Sequence, residues 1–161
     1  MNQLLLAILL SIAPITELRG GMPVAINYAI KNNLSILSLI SIIILIILLN
    51  ILIVFLLFFF LDKLHEKFMK IKIYAKFYRM YLGRIQKKID KFEAKHEAYG
   101  FWALVLFVAV PLPTTGAWTG KIISWLLGID RKTSLMAISL GVIIAGIIIS
   151  LGSLGVLGLF F

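Results

Sequence analysis

Two stretches hold the residue types that could do chemistry. The first is Glu17-Leu-Arg-Gly-Gly-Met-Pro23, and the second is Pro111-Leu-Pro-Thr-Thr-Gly-Ala-Trp-Thr-Gly120. In the first apolar half Glu17 is the only acidic residue, and Arg19 is the one basic residue besides Lys31. A carboxylate at bilayer depth can take up and release a proton, with burial raising its pKa and a nearby arginine lowering it. An arginine offers a planar donor fork that suits phosphate. Charge at that depth is costly and faces an interior cavity or a partner. On a regular helix, residues two apart do not face each other. Gly20, Gly21 and Pro23 therefore point either to irregular backbone or to separate partners for the two charges. A phosphate-and-proton site and a structural ion pair that fixes a hairpin tip both fit these residues.

The second stretch sits inside an apolar segment, residues 101–127, and holds two prolines, two glycines and three threonines. Pro111 and Pro113 remove backbone donors and clash with the preceding turn, so one helix should end and another begin here. Broken backbone at membrane depth is tolerated only where protein or a water-filled cavity covers it. Thr114, Thr115, Trp118 and Thr119 offer hydroxyls and an indole N–H, and Gly116 and Gly120 permit close approach. The helix after the break presents free N–H groups that attract anions, with Lys121 one residue beyond. A packed kink, with Trp118 and Trp125 as interface anchors, is the alternative reading.

These stretches need apolar elements to position them. The chain has 161 residues, of which 61% are hydrophobic, with a mean hydropathy of +1.07. That composition is an integral membrane protein. There are no cysteines, so disulfides and thiolate metal sites are excluded. No nucleotide-binding loop, Ser-His-Asp pattern or apolar carboxylate pair is present, so no enzyme activity, metal or cofactor is expected. Of the 16 Lys and Arg, 11 lie between Asp62 and Ala98, the others being Arg19, Lys31, Lys121, Arg131 and Lys132. A basic block between two apolar halves points to the cytoplasmic side of a membrane rather than to nucleic acid.

Residues 1–16 lack the positive start and small-residue cleavage site of a signal peptide. Residues 1–33 read as a re-entrant helical hairpin with its tip near residues 16–23. Residues 34–61, free of Gly, Pro and charge, read as a transmembrane helix. Asn50 is its one strongly polar interior residue, placed for a helix–helix hydrogen bond or for a ligand. Residues 62–99 step by threes and fours in apolar positions with Lys and Arg between, an amphipathic helix that reads as interfacial on anionic lipid, with a coiled-coil seam as the alternative. Residues 100–128 form a second re-entrant hairpin, and residues 133–160 the last transmembrane helix. There Ala137, Gly141 and Ala145 let a neighbour approach closely.

The two halves are similar in length, each with a Pro- and Gly-broken piece followed by a long span. Corresponding broken segments are the sequence pointer to an inverted-repeat transporter site. The fold expected is all-α, an inverted repeat of two re-entrant hairpins, each followed by a transmembrane helix and joined by the basic amphipathic cytoplasmic helix. Both termini then lie outside a multi-pass cell membrane protein, and Arg131 and Lys132 stay inside. An ordinary four-helix bundle with both termini inside is the rival.

Both motifs resemble the signatures of the small multidrug export protein family, a distant relative of the DedA/VTT membrane proteins. The resemblance covers nearly the whole chain, including the basic middle and the glycine-rich last helix. Thr114 departs from it, standing where a glycine is expected. The resemblance implies the same fold of two inverted re-entrant hairpins. By analogy with DedA-like proteins that move polyprenyl-phosphate or phospholipid, it implies that Glu17 carries a proton and Arg19 meets a phosphate.

The expectation is a small membrane transporter or lipid translocase for an anionic substrate, with proton coupling. Its site would be Glu17, Arg19, Gly20, Gly21 and Pro23 with Pro111, Pro113, Thr114, Thr115, Gly116, Trp118, Thr119 and Gly120. The expected partners are membrane lipids, the anionic substrate, protons and a second copy in a homodimer, and no nucleic acid. A small multidrug exporter and a non-transporting scaffold acting through residues 62–99 are the alternatives.

Overall fold

A computed structural model describes residues 3–68, 70–71, 95–112 and 115–158. Among these residues all regular structure is helical. The helices are α1 (Gln3–Ile12), α2 (Glu17–Lys31), α3 (Ile36–Phe68), α4 (Lys95–Ala109), α5 (Ala117–Leu126) and α6 (Arg131–Gly158). Their lengths repeat as short, short, long. At 1.5 Å per residue, α1 and α5 reach only about 15 Å and α2 and α4 about 22 Å, against a hydrocarbon core of about 30 Å. By the same measure α3 reaches about 50 Å and α6 about 42 Å. Among the described residues, only Ile36–Phe60 and Arg131–Val156 are long and apolar enough to cross a membrane.

α1 and α2 pack directly on each other across a turn of four residues. Gly21 makes that contact close, since a Cβ there would stand 2.5 Å from both the Ala7 carbonyl oxygen and the Ser11 Cβ. The Thr16 hydroxyl donates to the Leu10 carbonyl at 2.6 Å and ties the turn back to α1. In the second half, α4 packs mainly on α6 and touches α5 far less. Gly141 of α6 lies against Val105 and Val108 of α4, so the small-residue stripe of the last helix receives a short helix of its own half. Ile26, Ile46, Val54, Phe58, Val105, Val108 and Ile138 fill the core between the two halves. The exposed Leu48, Leu52, Phe55, Phe59, Ile147 and Leu151 give α3 and α6 their apolar outer faces, as lipid contact requires.

Three boundaries differ from the sequence reading. The first turn closes by Thr16, and Pro23 lies inside α2 instead of at the tip. The neighbours packed on α2 compensate for the one backbone bond that proline removes. α3 continues to Phe68, because Asp62, Lys63, Glu66 and Lys67 are no worse helix formers than many apolar residues. The chain then leaves the helix at Lys70 and Ile71, and α4 begins at Lys95. The rest of the expected amphipathic helix, 72–94, lies outside the described residues.

Candidate functional site

The second apolar segment breaks where its prolines stand. α4 ends at Ala109 and α5 starts at Ala117. Such ends leave carbonyls on the first helix and N–H groups on the second without helical partners. Both sets are met from the first motif. Glu17 accepts from the Ala117 N–H through Oε2 and from the Trp118 N–H through Oε1, each at 3.1 Å. Arg19 Nη2 donates to the Val110 carbonyl at 3.1 Å and to Thr115 Oγ1 at 2.9 Å, with the Val108 carbonyl at 3.5 Å. The acid sits at a helix N-terminus and the base at a helix C-terminus, each the favourable sign for the backbone dipole.

Local structure explains how residues two apart serve one break. Glu17 is the first residue of α2 and has φ +47°, a left-handed conformation that costs a non-glycine residue of order 1–3 kcal/mol. That turn lets the Glu17 side chain leave the helix start and reach α5. Gly116 makes room for it, because a Cβ there would overlap the carboxylate. Thr115 completes the clamp: its hydroxyl accepts from Arg19 and lies 2.9 Å from the Val110 carbonyl and 3.0 Å from that of Leu112. Glu17 is 6% exposed. Two charge-assisted backbone bonds offset the desolvation such burial entails.

The structure thus brings Glu17, Arg19, Thr115, Gly116 and the Trp118 backbone into one constellation. Gly20 packs against Thr16 and Gly120 against Val108, which are packing roles. Pro23 lines a separate apolar cleft of about 310 Å³ with Gly152, Ser153 and Val156. Thr119 lies within α5 and Pro111 in the break itself. Pro113 and Thr114 lie outside the described residues.

Two polar residues beside the constellation, both marked in the sequence, stand outside the expected set of site residues. Lys121, only 4% exposed, places Nζ 3.4 Å from the Phe58 ring centroid, a desolvated cation–π contact. The signal was available: Lys121 is the only charged residue between positions 100 and 129. Asn50, 3% exposed, gives Nδ2 to the Ile46 carbonyl of its own helix at 3.0 Å. Among the described residues it makes no bond across helices, and it lines a small cleft shared with Glu17 and Arg19. No three His, Cys, Asp or Glu side chains among the described residues are grouped to hold a metal.

Among the described residues, two long apolar helices, four short ones and a buried charge clamp across a broken helix fit a small helical membrane protein. The comparisons agree. Residues 17–148 match the model of the family described as "Putative small multi-drug export protein", and the chain belongs to that family. No curated protein and no solved structure matches it.

Proposed function

We propose that this protein is a small transporter in which the Glu17–Arg19 clamp holds the place of an anionic substrate group, and that opening of the clamp admits that group. One observation carries this reading: the Glu17 carboxylate occupies the α5 N-terminus, where free N–H groups would otherwise bind an anion. When Glu17 withdraws, two N–H donors and the Arg19 guanidinium are left, a pocket of positive character. A withdrawn, unpaired carboxylate in an apolar interior is very costly unless it takes a proton, so substrate entry and proton uptake go together. The apolar cleft beside Pro23 suits a hydrocarbon tail, which favours a phosphate-bearing amphiphile over a fully hydrated anion.

The repeated short, short, long order supports an inverted pair of re-entrant hairpins related to DedA/VTT proteins. Residues 62–99 would then be cytoplasmic and both termini external. The chain's small size fits a working homodimer.

Drug export is the second reading, favoured by the family's description, and a cationic drug is the cargo a carboxylate would suit. It requires a carboxylate free to meet a cation. Here the carboxylate is held by two N–H groups beside an arginine, which favours the anion.

Lipid translocation in reconstituted vesicles tests the proposal, using dithionite quenching of fluorescently tagged phosphatidylglycerol with tagged phosphatidylcholine as the control. The expected result is faster loss of inner-leaflet phosphatidylglycerol fluorescence with the protein, abolished by Glu17→Gln and by Arg19→Ala in folded variants. Ethidium uptake that needs Glu17 but survives Arg19→Ala would establish cation export instead. Insensitivity to both substitutions, with sensitivity to charge reversal along 72–95, would point to the scaffold.

A further inference from the structure

The cleft between the clamp and the two long helices is lined by Glu17, Leu18, Arg19, Asn50, Gly116 and Ala145, among others, and has a volume of about 10 Å³. That is at the lower limit for one water molecule, which also needs two or more polar partners. Both conditions meet here. Asn50 uses one amide hydrogen on the Ile46 carbonyl. Among the described residues its side-chain oxygen accepts nothing, although the residue is almost fully buried. That oxygen keeps a small accessible surface, so a donor in the cleft can reach it. Glu17 supplies acceptor capacity on the other side of the cleft, because a carboxylate can accept about four bonds and here accepts two.

We propose that this cleft holds one water molecule that donates to the Asn50 side-chain oxygen and to the Glu17 carboxylate, and that Glu17 exchanges its proton through it. Asn50 is then a positioning residue: it holds the water that meets the acid. The polar and charged groups around Glu17 come from three elements. α2 contributes Arg19, α3 contributes Asn50, and the break with α5 contributes Thr115, two backbone N–H groups and, one turn on, Lys121. α6 contributes only Val142 and Ala145. Of these, Arg19 faces the break and its carbonyls, so Asn50 is the neutral group left to anchor a water. The inference extends the proton part of the proposed function, and its test needs no substrate.

Infrared spectroscopy of the full chain in lipid nanodiscs is the experiment, with the carboxyl band assigned through Glu17→Gln. The wild type should show a hydrogen-bonded water band that shifts in H₂¹⁸O. Asn50→Leu, which keeps the branching and lacks the oxygen, should remove it, and Asn50→Ser should keep it. Once low pH has protonated Glu17, hydrogen–deuterium exchange of its carboxyl should slow about tenfold in Asn50→Leu, the size expected from one lost hydrogen bond to a charged group. A wild type without the ¹⁸O-sensitive band, or a band equal in both variants, overturns the inference. So does a folded Asn50→Leu variant that exchanges at the wild-type rate. Should the water band behave as expected while Glu17 never protonates, the exchange route and the proton-coupled reading both fall. Failure of lipid translocation alone leaves the water assignment intact.

Discussion

Gly116 leaves the space that the Glu17 carboxylate fills: a Cβ at position 116 would overlap Oε2. The two residues are therefore one unit. Gly116→Ala should expel the carboxylate from the α5 N-terminus and destabilise the protein by about 3–5 kcal/mol, the cost of breaking a buried charge interaction from one side. Glu17→Ala should cost less, because it leaves no buried carboxylate without a partner, only the Ala117 and Trp118 N–H groups without theirs. The double variant should be no worse than Gly116→Ala alone. Thermal unfolding of the four proteins in one detergent gives the coupling; additive effects would separate the two residues.

Arg19 serves several acceptors from one end of a rigid fork, which a lysine cannot reproduce. Arg19→Lys should thus lose much of what Arg19→Ala loses. Thr115→Val, which removes a single hydroxyl from the network, should cost only about 1 kcal/mol. An Arg19→Lys protein as stable as wild type would show that charge alone matters at this position.

The glycines of α6 divide into two kinds. A Cβ at Gly141 would lie 2.7 Å from the Val108 Cβ and 2.9 Å from the Val105 carbonyl oxygen, so Gly141→Ala should cost about 1–3 kcal/mol through overpacking. Gly152 and Gly155 face open space. Alanine at either should stabilise the helix by roughly 0.5–1 kcal/mol. A drop in melting temperature at 152 or 155 would reveal a second copy or a lipid seated there.

Asp130 stands before α6 and accepts through Oδ2 from the backbone N–H groups of Lys132 and Thr133 at 3.0 and 3.2 Å. These bonds, that of Thr133 foremost, hold its carboxyl below the ordinary aspartate value. A depressed folded-state pKa gives a contribution that is complete above the unfolded value. It is lost as pH falls through the lower folded value. Melting temperature measured from neutral pH down to about pH 3, below the free aspartate value of about 3.9, should therefore decline less in Asp130→Asn than in wild type. Parallel curves would remove this cap from the acid response.

The long helices were legible because unbroken apolar runs leave few other structures. Residues 34–61 and 133–160 correspond closely to α3 and α6. The break between Pro111 and Gly116 was equally plain, since proline chemistry is local. The partners of Glu17 and Arg19 were not legible. Spacing along α2 says only that the two side chains diverge; it cannot say that both turn to the same distant break. The φ of Glu17 is unreadable too, because nothing marks a glutamate for a left-handed conformation. Lys121 and Asn50 each stood out by charge or polarity, but their neighbours, Phe58 for one and the cleft for the other, arise only when separate helices pack.

The clamp joins residues 100 positions apart in the chain. At a synthesis rate of 5–20 residues per second, the first motif is made roughly 5–20 s before the groups that satisfy it. During that interval a nascent first half holds an acid and an arginine with no native partners. It must shelter at the interface, in the insertion machinery or against a chaperone. Truncation after the first long helix would leave those charges permanently exposed to lipid, a natural degradation signal for membrane quality control. The interaction that closes the folded protein thus forms only after residues 117 and 118 have been made.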